Sequence, residues 1–236
     1  KYSTIAEALT LGGNKLAVDG VILIAEHGNY PRNKKGQTLY PRYEFFMEIA
    51  KVFQDSKRSV PVFNDKHLSW KWESAKKMYD TSKEMGFPFM AGSSVVVANR
   101  LPSIDMPMGV EIEEVLGLAV GGIDGYDIHA LEAVQCMVER RKGGETGVKA
   151  VQMVEGDAAW KAGEEGRWSN ELLGTALSRC DSPQGLTVED GRTQDLLGSG
   201  ELYRLAENPA AYFLEYNDGL NATLLILKGA IQGYYF

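Results

Sequence analysis

The sequence predicts an α/β segment followed by an α+β segment, and three observations lead to that prediction. Short apolar runs alternate with amphipathic helical stretches as far as about residue 98. Beyond that point the pattern changes to longer strands around a single long helix. Near the end, Asp218-Gly219 separates two apolar runs, which is a strong signal for a β-hairpin. We therefore expect a parallel sheet in 1–98 and a largely antiparallel, open sheet in 99–236.

The first part has the strand and helix spacing of a doubly wound parallel sheet. Thr4 and Glu7 have the spacing of a capping box and start the first helix. The nearly continuous apolar run 18–25 predicts a strand that is covered on both faces. The elements expected next are a helix at 40–57, a strand at 60–63, a helix at 70–85 that buries Trp72, Ala75, Met78 and Tyr79, and a strand at 87–91.

The second part predicts one main helix and a mixed sheet. The expected elements are a strand within 109–122, a helix at 126–142, a strand at 148–154, and hairpin strands at 212–216 and 220–227. The edges and faces of such open sheets are often buried between copies of a chain, so we expect a homo-oligomer.

Composition narrows the classes of partner. A net charge of −7 opposes binding to a phosphate backbone, so we expect no nucleic acid partner. The longest apolar runs are strand-sized, far below the roughly 20 residues that span a bilayer, so we expect no membrane segment. Cys136 and Cys180 lack disulfide or metal-site spacing and are interpreted as buried free thiols. The chain starts at Lys1 rather than Met, so we expect that an upstream portion is missing. We expect a cytoplasmic protein, or a periplasmic one if a leader peptide was lost with that portion.

Three histidines are the main candidates for chemistry. His27 and His67 directly follow two strands of the predicted parallel sheet, where doubly wound sheets bind ligands. His129 lies at the start of the main helix of the second part. Any one of them could be an ordinary structural histidine. Lys66, next to His67, could donate to a substrate oxygen, or could simply be a loop lysine paired with Asp65.

Two motifs resemble the Gfo/Idh/MocA family of oxidoreductases. The run 18–25, a helix and then Val-Pro-Val-Phe-Asn-Asp-Lys-His ending at His67 resemble the second half of that family's Rossmann-like domain. Lys66 matches the lysine of its Glu-Lys-Pro motif. The segment 121–132 resembles the glycine pair, aspartate and histidine of the family's second domain. Three departures are Asp65 for the usual glutamate, His67 for the usual proline, and Gly125 where the family's aspartate usually stands, four residues before the histidine.

The resemblance covers most of the chain and implies a two-domain, NAD- or NADP-dependent dehydrogenase. Its substrate would be a sugar or cyclic polyol lying between the domains, and hydride would pass between that substrate and the nicotinamide. His129 would be the base, Lys66 would polarise the reacting oxygen, and Asp127 would orient the histidine or the substrate. The implied cofactor-binding residues are Glu26, His27 and Lys66, and the implied substrate-binding residues are His67 and Asp124.

One feature of a nucleotide site is missing. The sequence contains no GxGxxG turn, the element whose backbone N–H groups hold the pyrophosphate. We therefore expect this chain alone to bind dinucleotide poorly, and the complete protein to carry that turn upstream.

Two other functions stay open at this point. A metal-dependent sugar lyase or isomerase could use histidines and carboxylates as ligands, whereas the dehydrogenase expects no metal. The candidate ligands are Glu26, His27, Asp65, His67 and His129. A catalytically silent sugar-binding or assembly protein is the third interpretation.

Overall fold

The computed structural model describes residues 1–25, 28–103, 105–184 and 195–235. The chain divides into two compact units, Lys1–Ser94 and Val95–Phe236. The boundary expected after residue 98 falls just inside the second unit. In the described ranges, no helix is both long and apolar enough to cross a membrane.

The first unit is a three-stranded parallel sheet with helices. Its elements are α1 (Ile5–Thr10), β1 (Val21–Leu23), α2 (Arg42–Ser56), β2 (Val62–Asp65), α3 (Trp72–Glu84) and β3 (Phe89–Gly92). The strand order is β1-β2-β3 and both pairings are parallel, which confirms the predicted sheet. As the central strand, β2 has its carboxyl end flanked by strands on both sides.

The helices of this unit follow the sequence signals in part. The capping box of α1 is present, with Glu7 N–H donating to Thr4 Oγ1 at 3.1 Å and Thr4 N–H donating to Glu7 Oε2 at 3.2 Å. The apolar residues Phe46, Ile49 and Phe53 of α2 are buried. The stripe predicted for α3 is wrong at Trp72 and Tyr79, which are exposed. Only a narrow face of α3 is buried, at Met78, Thr81 and Ser82.

The sheet of the first unit has one covered face. Leu23 and Val62 belong to the core formed with α2. Side chains alternate between faces along a strand, and Ile22, on the opposite face, is 73% exposed. Ile22 is in register with Phe63, which is in register with Met90, so an apolar row crosses the sheet. The prediction that the strand at 18–25 is covered on both faces is therefore wrong among the described residues.

The second unit holds a five-stranded mixed sheet. A short 3₁₀ helix at Ser94–Val97 precedes β4 (Glu114–Ala119), α4 (Asp127–Val138), β5 (Val148–Glu155), α5 (Asp157–Glu164), α6 (Asn170–Ser178), α7 (Glu201–Leu205), β6 (Ala210–Tyr216), β7 (Asn221–Ile226) and β8 (Tyr234–Tyr235). The strand order is β5-β6-β7-β4-β8, and only the β4–β7 pairing is parallel. The largely antiparallel sheet is confirmed. So is the hairpin, whose Gly219 takes a φ of +89° between β6 and β7.

Helices pack on both faces of this sheet. On one face, Val134 and Val138 of α4 share a core with Tyr212 and Leu214 of β6. On the other face, residues of α5 and α6 share a core with Leu118. At Gly117 of β4, an added Cβ would lie 2.8 Å from Val134 Cγ2. The glycine therefore permits the close approach that fixes α4 on the sheet.

Candidate functional site

The loop after β2 is the first candidate site, and we call Asp65, Lys66 and His67 the β2 corner. Lys66 has a φ of +71°, a left-handed conformation that is unfavourable for a residue with a Cβ. Its N–H donates to the carbonyl of Gly92 at 3.0 Å, which ties the corner to the end of β3. Lys66 Nζ lies 3.8 Å from Asp65 Oδ2, and both side chains are largely buried.

Asn64, the residue before the β2 corner, fixes the shape of the corner through its side chain. Its side chain is fully buried at 0% exposure. Asn64 Nδ2 lies 3.3 Å from the carbonyl oxygens of Asp65 and Lys66, and 3.2 Å from that of His67. One amide group thus donates to the carbonyls of all three corner residues. Because buried carbonyls need partners, this amide stabilises the turn that presents Lys66.

A buried arginine contacts the corner from the start of α2. Arg42 is 1% exposed, and its Nη1 lies 2.8 Å from His67 Nε2. The guanidinium carbon lies 4.3 Å from the centroid of the Tyr40 ring, a cation–π contact. The rings of Tyr40 and His67 meet edge to face with centroids 6.1 Å apart. Arg42, Tyr40 and His67 therefore form one packed group beside Lys66.

The start of α4 is the second candidate site. Asp127 is the first residue of the helix, where the positive end of the macrodipole favours a carboxylate. Its Oδ1 accepts the N–H of Ile128 at 2.9 Å, and its Oδ2 accepts the hydroxyl of Tyr212 at 2.8 Å. Tyr212, on β6, is 8% exposed. The carboxylate is therefore held by its own helix and by the sheet.

His129 lies one residue beyond Ile128, in the first turn of α4. Its N–H donates to the carbonyl of Tyr126 at 3.1 Å, and its ring meets that of Tyr234 edge to face at 6.1 Å. Asp124, in the loop before the helix, has a φ of +70°. We call Asp124, Asp127, His129, Tyr212 and Tyr234 the α4 cluster.

The tyrosines of the α4 cluster remain protonated donors. Burial raises the pKa of Tyr212 above its ordinary value, and the charge of Asp127 raises it further. Burial also raises the pKa of Tyr234, with smaller contributions from Tyr126 and Asp127. Both phenols therefore keep their hydrogens at neutral pH.

The structure places the predicted site residues in two groups. Lys66 and His67 are neighbours in the first unit. Asp124, Asp127 and His129 lie together in the second unit. Glu26 and His27, the other predicted cofactor residues, lie outside the described residues.

Arg42, Asn64 and Tyr212 are among the site residues that sequence reasoning missed. Arg42 occupies a position on the apolar stripe of α2, four residues before Phe46, and a charge on such a stripe is a readable signal. Asn64 ends an apolar strand run, which is a weaker signal. Tyr212 is one aromatic in an apolar strand, and its contact with a residue 85 positions away leaves no local trace.

Thiols and carboxylates add no further cluster within the described ranges. No group of three or more His, Cys, Asp or Glu side chains there could hold a metal ion. Cys136 and Cys180 are free, as predicted, and each is half-buried. Burial raises the pKa of Cys180 to about 12, so this thiol is unreactive at neutral pH.

Comparison with known proteins finds similarity only among solved structures. No protein-family model matches the sequence, and a search of curated proteins finds no match. UDP-N-acetylglucosamine 3-dehydrogenase GnnA from Acidithiobacillus ferrooxidans aligns with 98% of this chain and 55% of its own, at 13% identity and a TM-score of 0.45. GenD2 from gentamicin A biosynthesis, solved in complex with NAD, aligns with 99% and 53%, at 13% identity and a TM-score of 0.48.

A third solved structure aligns over a similar share of its length. The myo-inositol 2-dehydrogenase from Lactobacillus plantarum aligns with 98% of this chain and 59% of its own, at 12% identity and a TM-score of 0.41. The chain therefore spans little more than half the length of these proteins.

Proposed function

We propose that this chain is part of an oxidoreductase that transfers a hydride between NAD or NADP and a hydroxyl group of a sugar or cyclic polyol. The observation that carries the proposal is the position of Lys66, directly beyond the carboxyl end of the central strand of a parallel sheet. Ligands of doubly wound sheets bind at such strand ends. An ammonium there can donate to a hydroxyl or carbonyl oxygen and stabilise negative charge that develops on it.

The backbone of Lys66 supports a role for its side chain. A left-handed conformation costs about 1–2 kcal/mol for a residue with a Cβ, and glycine would relieve that cost. Strain of this kind is found where the surrounding structure over-determines a conformation, often at functional sites. Here Asn64 and Gly92 hold the strained corner in place. A functional need for the ammonium at that point would explain why a lysine stands there despite the cost of its left-handed backbone.

The α4 cluster supplies the proton acceptor in this proposal. In the oxidation direction, His129 takes the hydroxyl proton, since imidazole accepts a proton near neutral pH. Lys66, in the first unit, is proposed to polarise a substrate oxygen through its ammonium group. Asp127, fixed by Tyr212, orients the substrate or the imidazole. A nicotinamide cofactor, when bound, would accept the hydride from the carbinol carbon.

The residues for such a cofactor are only partly present. Of the cofactor-binding residues that the family resemblance implies, Lys66 lies in the described part of the chain and Glu26 and His27 do not, whereas no glycine-rich turn occurs in the sequence for the pyrophosphate. We propose that a longer form of the protein supplies a strand, turn and helix upstream. The apolar row of Ile22, Phe63 and Met90, in which Ile22 and Met90 are exposed, supports this, because parallel sheets are usually covered on both faces.

Cofactor binding tests that part of the proposal. NADH fluorescence would be titrated with the 236-residue chain and with a longer form that includes the proposed upstream strand, turn and helix. We expect saturable binding by the extended form and much weaker binding by the shorter chain. Equal, negligible affinity of both forms would contradict the proposal.

Turnover by the extended form tests the catalytic roles with a panel of sugars and inositols. Lys66→Met should reduce kcat by at least tenfold, and Lys66→Gly should do the same without lowering the melting temperature, because it relieves the backbone strain. Lys51→Met, on the exposed side of α2, is the matched control and should keep full turnover. Near-normal kcat in both Lys66 variants would refute the assignment.

A double-mutant cycle tests whether Lys66 and His129 act on one step. The single variants Lys66→Met and His129→Gln should each lose most of kcat. A double variant that loses little more than either alone would show that both residues serve one transition state, because the effects of such residues are not additive. Fully multiplicative losses would show that the two residues act independently.

A further inference from the structure

Arg42 breaks two rules of helix energetics. It is the first residue of α2, at the positive end of the helix macrodipole, where a cation is disfavoured. It is also 1% exposed, and a buried charge is costly unless it is well paired. Phe46 and Ile49 show that this face of α2 is otherwise apolar. The polar contacts of the guanidinium are therefore what this position must be understood from, and one of them is with His67.

The contact between Arg42 and His67 has a defined direction. A guanidinium carries five N–H donors and no acceptor, and it stays charged at any pH a protein meets. Its Nη1 lies 2.8 Å from His67 Nε2. Nε2 must therefore accept this hydrogen bond with its lone pair. A neutral imidazole then carries its proton on Nδ1.

Packing keeps both partners in this geometry. The guanidinium carbon of Arg42 lies 4.3 Å from the centroid of the Tyr40 ring. The Tyr40 and His67 rings meet edge to face, with their centroids 6.1 Å apart. Tyr30 meets Tyr40 edge to face at 5.5 Å. On the other side, Asn64 holds the carbonyl of His67 at 3.2 Å. The imidazole is thus fixed through its backbone, its edge-to-face contact with Tyr40 and its Nε2 atom.

We infer that Arg42 is a positioning residue of the β2 corner, which holds His67 as the Nδ1–H tautomer. Whatever group meets the other ring nitrogen must then be a hydrogen-bond acceptor, and Nε2 is not open to a metal ion or to an incoming proton. An oxygen of a hydroxyl, carbonyl or anionic group would meet that requirement. The tautomer itself follows from the contact geometry and does not depend on the proposed function.

Nitrogen-15 NMR of the 236-residue chain tests the tautomer directly. Unprotonated and protonated imidazole nitrogens have well-separated shifts, and comparison with His67→Asn assigns the His67 signals. At neutral pH we expect an unprotonated Nε2 and a protonated Nδ1. A protonated Nε2, in either the other tautomer or the imidazolium, would overturn the inference.

Substitution of the arginine tests the cause. In Arg42→Met, the His67 signals should move toward the averaged shifts of a ring that exchanges tautomers, and Arg42→Lys should partly restore the fixed form. The control is Arg58→Met, because Arg58 is a second arginine of the same unit and bonds Asp19 and the Leu16 carbonyl instead. His67 shifts that stay unchanged in a folded Arg42→Met would refute the positioning role. If that variant does not fold, the wild-type spectrum still decides the tautomer.

Discussion

The hydrogen bond between Tyr212 and Asp127 allows a controlled measurement of how a charged acceptor stabilises the second unit. Two tyrosines of β6 donate to side chains of α4 at the same distance of 2.8 Å: Tyr212 to Asp127, and Tyr216 to Gln135. Both phenols are buried. The pair therefore differs chiefly in the acceptor, which is a carboxylate in one case and a neutral amide in the other.

The two Tyr→Phe variants should differ by about 1 kcal/mol. A hydrogen bond to a charged group contributes about 1.5–3 kcal/mol, and one between neutral groups about 0.5–1.5 kcal/mol. Asp127 is only half-buried, so the lower part of the charged range applies. Each substitution removes one hydroxyl and keeps the ring. In Tyr216→Phe the ring keeps its contact with Arg141, whose guanidinium carbon lies 4.9 Å from the centroid.

Urea unfolding, followed by a probe in the second unit, measures both free energies. Tyr212→Phe should lose about 1.5–2 kcal/mol and Tyr216→Phe about 0.5–1 kcal/mol, with unchanged m-values. For a chain of this size, each kcal/mol corresponds to about 2–4 °C in Tm. Equal losses, or a larger loss in Tyr216→Phe, would refute the view that the carboxylate gives the stronger contact.

Two further predictions concern pH. The pKa values of Tyr216, Tyr235 and Cys180 are each raised to about 12, chiefly by burial, so the folded chain keeps protons that the unfolded chain loses first. The contribution of these groups to the free energy of unfolding should be fully present below about pH 9 and should fall toward pH 12. The free energy should fall less steeply with pH in Tyr216→Phe. Urea titrations that show no fall in the wild-type chain would contradict this. The second prediction concerns acid pH, because a hydrogen bond from Arg141 lowers the pKa of Asp218. The stabilisation that the Asp218 carboxylate gives the folded chain is therefore present above about pH 4 and is lost as pH falls through the lowered pKa. Asp218→Asn should flatten that acid limb, whereas Glu111→Gln, which removes an exposed ion pair with Lys142, should not.

The sequence predicted the fold well where the signals are local. Strand and helix periodicity, the capping box at Thr4 and the Asp218-Gly219 turn each depend on a few neighbouring residues. The failures depend on what covers an element. Trp72, Tyr79 and Ile22 are exposed because neighbouring elements cover other faces, and a single-element pattern does not contain that information.

The same division applies to the candidate sites. Lys66 and His129 could be nominated by residue type and by position after a strand or at a helix start, and Asp127 through the family resemblance. Their partners could not, because the contacts are made across the fold: His67 meets Arg42 from 25 residues away, and Asp127 meets Tyr212 from 85 residues away. Hydrogen-bond partners at such separations become visible only once the sheet register is known.

The two candidate sites differ in how they are stabilised. The α4 cluster follows local rules at Asp127, a carboxylate at the positive end of a helix with two donors. The β2 corner departs from them in its backbone, where Lys66 is left-handed, and it packs against a cation, Arg42, that is buried at the positive end of a helix. Natural sequences tolerate such conflicts mainly at functional sites. Replacing the left-handed Lys66 by glycine should therefore leave the first unit folded, and should remove the binding of any ligand that this ammonium contacts.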